Sequence, residues 1–374
     1  MSHPGSPPRN AVRRWLEGLP TRRVALGLTA TATPTFTFVL VGVVLGPQVL
    51  SLIPPVALAR FDPVVSVALA MLGVFVGLEL GSLSRSTGRL LFGATVEVML
   101  ATAIVAGIMY LLLAQWGVPL PAAVGPFAAA LGICSCASAA ARVADDATPE
   151  VRRTITLADL GDVPLIVLGA VALDALDGRP SLLTNLFLTI GAGTGVGIAG
   201  WLLFERASND AERGVFVAGA IVILGGVGAY VGGSPLLAGC AAAVVWVRTP
   251  GAADRIIAAD VAKLQHPLVA LLLIVAGASI QWTMALTWIA AALVLFRLSG
   301  KLLAGAAAAA VSRVPVARLV TSLMPPGVIG IALALNFQQV LRLQDTLLLS
   351  SVTLTAMASE ILGAALADGR EDRL

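Results

Sequence analysis

The chain has 374 residues, of which 58% are hydrophobic before its 38 glycines are counted and only 12% are charged. Soluble domains run at about 45–50% apolar with glycine included and about 25% charged, so a water-soluble fold of this length would expose large apolar patches. The formal charge of +3 is scattered over loops rather than clustered, which excludes a nucleic-acid footprint.

Apolar windows fall at 24–50, 61–82, 90–115, 121–141, 154–174, 182–204, 214–231, 234–249, 265–281, 284–311, 316–338 and 345–366. Each can supply a membrane span of about 20 residues. The pattern predicts an all-α polytopic membrane protein of about twelve transmembrane helices. Residues 1–23 are expected to form a cytoplasmic tail, 24–366 the transmembrane domain, and 367–374 a second cytoplasmic tail. No room remains for a sizeable soluble catalytic or regulatory domain.

The basic N-terminus (Arg9, Arg13, Arg14, Arg22, Arg23) precedes an apolar run longer than a signal-peptide core, which predicts a retained first span. That span is the least regular, because Thr29, Thr31, Thr33, Thr35 and Thr37 alternate around Pro34. A lone strand cannot satisfy its backbone in lipid, so a helix is expected. With both termini inside, 19 basic residues fall on cytoplasmic segments and only Arg60, Arg179 and Arg342 on outer ones. That asymmetry satisfies the positive-inside rule and predicts a multi-pass protein of the cell (inner) membrane. Trp116, Trp201, Trp246 and Trp282 lie near span ends, where an interfacial aromatic belt would put them.

Cys134, Cys136 and Cys240 show no disulfide or zinc spacing, and His3 and His266 are too far apart in sequence to suggest a histidine metal cluster. No HExxH, GxSxG or P-loop pattern occurs, so an enzyme is not expected, nor is a cofactor.

Two spans carry breaks. Span 4 contains Gly132-Ile133-Cys134-Ser135-Cys136-Ala137-Ser138, and span 11 contains Ser322-Leu323-Met324-Pro325-Pro326-Gly327. Consecutive prolines interrupt a helix. The two spans are seven apart and so cross the membrane in opposite senses. Paired interrupted helices in inverted halves point to a secondary transporter.

Charge inside spans is costly and marks function by default. Asp159 and Asp162 share a helical face in span 5, and Arg297 and Lys301 lie four apart in span 10. Asp162 and Lys301 sit at similar depth, on the cytoplasmic side of the midplane, and are expected to pair if their spans are neighbours. Apolar surroundings favour a protonated carboxylate and a lysine favours the ionised form. A carboxylate held between the two can exchange a proton for a cation. Glu79 sits at a helix end, where snorkelling is the default. Glu97 and Glu360 are more interior, with no spacing that assigns them a role beyond lining a cavity or supporting the site. The glycines Gly191, Gly193, Gly195 and Gly197 in span 6 permit close helix packing, with a neighbour from the same chain or from a second subunit.

Several segments together resemble the monovalent cation:proton antiporter family of the Kef/NapA type, whose membrane domain is related to NhaA. They are PTFTFVLVGVVLGP (34–47), LGVFVGLELG (72–81), CSCASAAARV (134–143), GDVP (161–164), GGSPLLAGCAAAVV (232–245) and HPLVALLLIVAGASI (266–280), in the family's order over about residues 34–366. The resemblance implies inverted repeats with two broken, crossing helices, a dimerisation domain and therefore a homodimer, and elevator-like alternating access. It implies exchange of Na+ or K+ for protons, with Asp162 as the shared proton and metal-ion carboxylate and Lys301 as its charge partner. Arg297 is the alternative match for the family's lysine. Ser135 and Ser138 would line the site, with backbone at the breaks around Cys134, Cys136, Pro325, Pro326 and Gly327. The family's acidic pair is reduced to Gly161-Asp162, and Asp159, one turn earlier, is the candidate substitute. A cation channel-like or sensory protein that keeps the fold without coupled exchange is the competing expectation. The partners expected are the lipid bilayer and the transported cation, with no nucleic acid.

Overall fold

The computed structural model describes residues 34–81, 88–116, 124–138, 149–176, 184–249, 253–312, 314, 326–341 and 346–371. The helices are α1 (Pro34–Leu45), α2 (Pro55–Arg60), α3 (Asp62–Gly81), α4 (Gly88–Trp116), α5 (Val124–Ser135), α6 (Pro149–Leu160) and α7 (Asp162–Leu176). They continue with α8 (Thr184–Arg206), α9 (Asp210–Val231), α10 (Pro235–Arg248), α11 (Ala253–Ala278), α12 (Met284–Ser312), α13 (Val328–Val340) and α14 (Leu347–Glu371). Six spans are long and apolar enough to cross a bilayer, and six shorter apolar helices accompany them among the described residues. Each overlaps one of the twelve apolar windows, to within three residues of its bounds where it extends past them, and the protein is an all-α, multi-pass membrane protein.

Span 1 is helical from Pro34, with Thr35 and Thr37 inside the helix. Lipid removes the alternative: the backbone must be satisfied within the segment. Span 5 departs from the expected continuous helix. α6 ends at Leu160, Gly161 forms a turn whose N–H donates to the Ala158 carbonyl at 3.1 Å, and α7 starts at Asp162.

Packing divides the helices into two groups. α4, α5, α6, α7, α12, α13 and α14 surround the interrupted spans, while α1, α3, α8, α9, α10 and α11 form a second layer. The contacts follow the inverted repeat. Shifting span numbers by seven exchanges the α1–α11 pair with the α3–α10 pair, and it maps α4–α12 and α5–α13 onto themselves. Glycines obey the same rule. Gly42 and Gly277 bring α1 and α11 into backbone contact at the Ile274 and Val39 carbonyls. Gly73 and Gly239 do so for α3 and α10 at the Leu236 and Ala70 carbonyls. A Cβ at any of the four would collide with main chain.

The span 6 glycines divide by face. Gly193 and Gly197 lie against Ala238 and Ala242 of α10, whereas Gly191 and Gly195 meet nothing within 4 Å. The neighbour of the first pair is therefore in the same chain. Trp246 is not part of an interfacial belt. It is buried, stacks edge-on against Phe204 with ring centroids 5.2 Å apart, and donates from Nε1 to the Gly197 carbonyl at 2.8 Å. Trp116 and Trp282 are exposed, as a belt requires.

Candidate functional site

The interrupted spans meet at a crossing. α5 ends at Ser135, Cys136 turns, and Ser138 forms an antiparallel bridge with Pro326. The Gly327 N–H donates to the Ala137 carbonyl at 3.2 Å, and α13 begins one residue later. Small residues are required here. A Cβ on Gly327 would stand 2.7 Å from the Ser138 carbonyl oxygen, and one on Gly330 would strike that of Cys134. Pro325 and the remainder of both spans lie outside the described residues. Cys134 and Cys136 are buried at the crossing.

An α-helix that stops inside a bilayer leaves its last carbonyls unpaired and carries a partial negative charge there. Arg297 of α12 answers both problems. Its Nε donates to the Ser135 carbonyl at 2.6 Å and its Nη2 to the Ala137 carbonyl at 3.0 Å, and the residue is buried. The Ser135 hydroxyl is used within its own helix, donating to the Gly132 carbonyl at 3.1 Å. Ser135 thus joins the crossing through its main chain.

One turn along α12, Lys301 Nζ donates to Ser138 Oγ at 2.8 Å and to Glu97 Oε1 at 2.8 Å, and the two charged side chains are each 2% exposed. The partner is Glu97 of α4, not Asp162. The cause is packing. α4 lies along α12 on one side and touches α6 and α7 on another, so it stands between the lysine and span 5. Glu97 belongs to the buried stripe Gly93, Glu97, Ala101, Val105, Met109 and Leu113 of α4, a helical repeat that faces α12. The sequence did hold a signal for Glu97: it is the sole charge between residues 90 and 116. Its partner lies more than two hundred residues away, beyond any spacing rule.

Asp162 is half-buried and occupies the first position of α7, where the helix N-terminus favours a negative charge. Glu79, Asp159, Lys301 and Glu97 are all within electrostatic range of its carboxylate. Glu79 is exposed and Asp159 half-buried, at the last turns of α3 and α6. The structure therefore gathers Ser138, Lys301 and Glu97 into one hydrogen-bonded group beside Asp162. Arg297 and the Ser135 main chain form an adjacent one.

A cavity of about 870 Å3 opens at the end of the bundle formed by the α1–α3 connection and the C-terminus of α13. Its polar lining includes Asp62, Ser66, Gln281, Gln338 and Gln339, and Asp62 supplies its charge. Gln339 Nε2 donates to the Asp62 carbonyl at 3.0 Å and Ser66 Oγ to Gln339 Oε1 at 3.3 Å, tying α13 to α3 across the cavity wall.

Inverted repeats, two interrupted helices crossing within the bilayer and ionisable residues buried beside the crossing are the features of a secondary-transporter fold. Among solved structures, the sodium proton antiporter MjNhaP1 from Methanocaldococcus jannaschii matches with a TM-score of 0.66 at 16% identity, over 88% of this chain and 92% of that one. The chain has that antiporter's fold. No family model and no curated protein sequence matches it.

Proposed function

We propose that the protein is a secondary active transporter that exchanges a monovalent cation, Na+ or K+, for protons by alternating access. The observation that carries this reading is Asp162 at the α6–α7 break, a carboxylate on a helix packed against the interrupted α5 and within electrostatic range of the buried Lys301. The likeness to a sodium proton antiporter supports it. Asp162 binds either a proton or the cation. Among the described residues no group of three or more His, Cys, Asp or Glu side chains is arranged to hold a metal ion, so carboxylates alone do not enclose the substrate cation, and hydroxyl, main-chain and water oxygens complete its shell.

Lys301 and Arg297 hold the crossing's electrostatics fixed. Arg297 neutralises the C-terminal end of α5, which would otherwise attract the cation away from Asp162. The second layer, α1, α3 and α8–α11, is the static side against which the crossing group moves, and it also provides the homodimer surface. Sorting of basic residues supports cytoplasmic termini in an inner membrane, with residues 24–366 as the exchanger domain and 1–23 and 367–374 as tails. In that orientation the cavity at Asp62 faces outward.

The test is proton movement in reconstituted vesicles, followed with a pH-sensitive dye while Na+, K+ or choline is supplied. Na+ or K+ dissipates the gradient, choline does not, and Asp162→Asn is silent. A wild-type signal from Asp162→Asn would overturn the mechanism. Cation current without proton movement would favour the channel-like alternative.

A further inference from the structure

We propose that Glu97 is a second carboxylate of the cation site, reaching the α6–α7 break from α4 and standing where a side chain at position 161 would otherwise reach. The proposal relies on the antiporter reading only for the nature of its ligand, a monovalent cation.

Gly161 lies at the break, immediately before Asp162. A Cβ built there would lie 3.6 Å from Val98 Cγ2 and 4.0 Å from Glu97 Oε2. An aspartate at 161 would therefore send its carboxyl group toward the place that Glu97 now fills. The two oxygens of Glu97 face different partners. Oε1 accepts from Lys301 Nζ at 2.8 Å, and Oε2 is the carboxylate oxygen 4.0 Å from a Cβ at the break. The level of the pair is also informative. A pair needed only to join α4 to α12 would serve anywhere along their buried interface. This one sits where Lys301 also reaches Ser138 at the crossing and both groups sense Asp162.

Removing one partner of a buried ion pair strands the other charge, whereas removing both does not. Glu97 thus has two separable effects: it keeps Lys301 neutralised, and it presents an oxygen to the cation. Glu79 and Asp159 are the other acids in range of Asp162, and neither is the carboxylate paired with Lys301.

The experiment relocates the carboxylate. Full-length protein carrying Glu97→Gln, Glu97→Gln with Gly161→Asp, Glu97→Gln with Gly161→Asn, or Glu97→Gln with Lys301→Met is compared with wild type. Readouts are the melting temperature in NaCl, KCl or choline chloride and the half-saturating cation concentration in vesicles. Glu97→Gln lowers the melting temperature, abolishes its rise with the transported cation, and weakens half-saturation on the order of tenfold, the scale of one lost charge-assisted contact. Gly161→Asp restores all three and Gly161→Asn none. Lys301→Met regains melting temperature without the cation response, so that folding and ligand effects are told apart.

A Glu97→Gln protein with an intact cation response, or a Gly161→Asp rescue no better than Gly161→Asn, overturns the proposal. If the wild type itself moves no protons with any cation, the antiporter reading fails. Recovery of melting temperature by Gly161→Asp then still decides whether Glu97 holds the place of a residue 161 side chain.

Discussion

Arg297 donates to the carbonyl oxygens of Ser135 and Ala137, at 2.6 and 3.0 Å, and so closes a helix end that has no solvent to close it. The guanidinium reaches the two acceptors from two separate nitrogens in a rigid fork, a geometry that a single ammonium nitrogen does not reproduce. Arg297→Met therefore costs on the order of 3 kcal/mol, the scale of charged hydrogen bonds lost with their acceptors left buried. Arg297→Lys recovers part of it. Thermal melting in detergent reads both, and equal stability of Lys and Arg at this position would show that the fork is not what matters.

The Glu97–Lys301 pair is predicted to be strongly non-additive. Glu97→Ala or Lys301→Ala alone strands a buried charge and costs about 3–5 kcal/mol, while an apolar replacement of both costs far less. A double-mutant cycle on melting free energies measures the coupling. Additive single effects would mean that water reaches the pair.

Much of the fold was legible because lipid leaves few choices. All twelve apolar windows hold helices, since an apolar segment in a bilayer must satisfy its own backbone. The breaks at Ser135–Ser138 and Pro326–Gly327 were legible for the same reason, as small residues and prolines are where a helix in lipid can stop. The break at Gly161 was missed because one glycine inside an apolar run is compatible with a continuous helix. Asp162 and Lys301 stand out in the sequence as charges in spans, but the ion pair expected between them does not form, and Lys301 pairs with Glu97 instead. Depth can be read from span boundaries, whereas lateral neighbours depend on how helices pack, and α4 with Glu97 lies between them. Trp246 misled because proximity to a span end does not reveal which way a side chain faces.

The glycines of α8 offer a contrast on one helix. Gly193→Val drives a side chain into the main chain of α10 near Ala238, whereas Gly195→Val points into open space. The first is expected to destabilise by about 1–3 kcal/mol, the usual range for overpacking, and the second to be close to neutral. Melting temperatures of the two variants check it. A large effect at Gly195 would show that the open face is covered in the assembled protein, the arrangement a homodimer through α8 would produce.

The paired glycines at the α1–α11 and α3–α10 crossings lead to a prediction about symmetry. Gly42, Gly277, Gly73 and Gly239 each abut a backbone carbonyl of the facing helix, at Ile274, Val39, Leu236 and Ala70 in turn. Backbone in the middle of a packed helix cannot move aside as a long side chain can, so even alanine forces the helices apart. The inverted repeat relates Gly42 to Gly239 and Gly73 to Gly277, which gives the four sites equivalent surroundings. Alanine at each should lower stability by a similar amount, roughly 2–3 kcal/mol at the upper part of the overpacking range. Two alanines at one crossing should cost less than twice that, because the first has already separated the helices. Alanine at one site of each crossing should be additive, since distant sites do not share the displacement. Melting curves of the four single variants and two kinds of double variant supply the comparison. One crossing tolerating alanine while the other does not would show that the two halves of the repeat have diverged in how closely they pack.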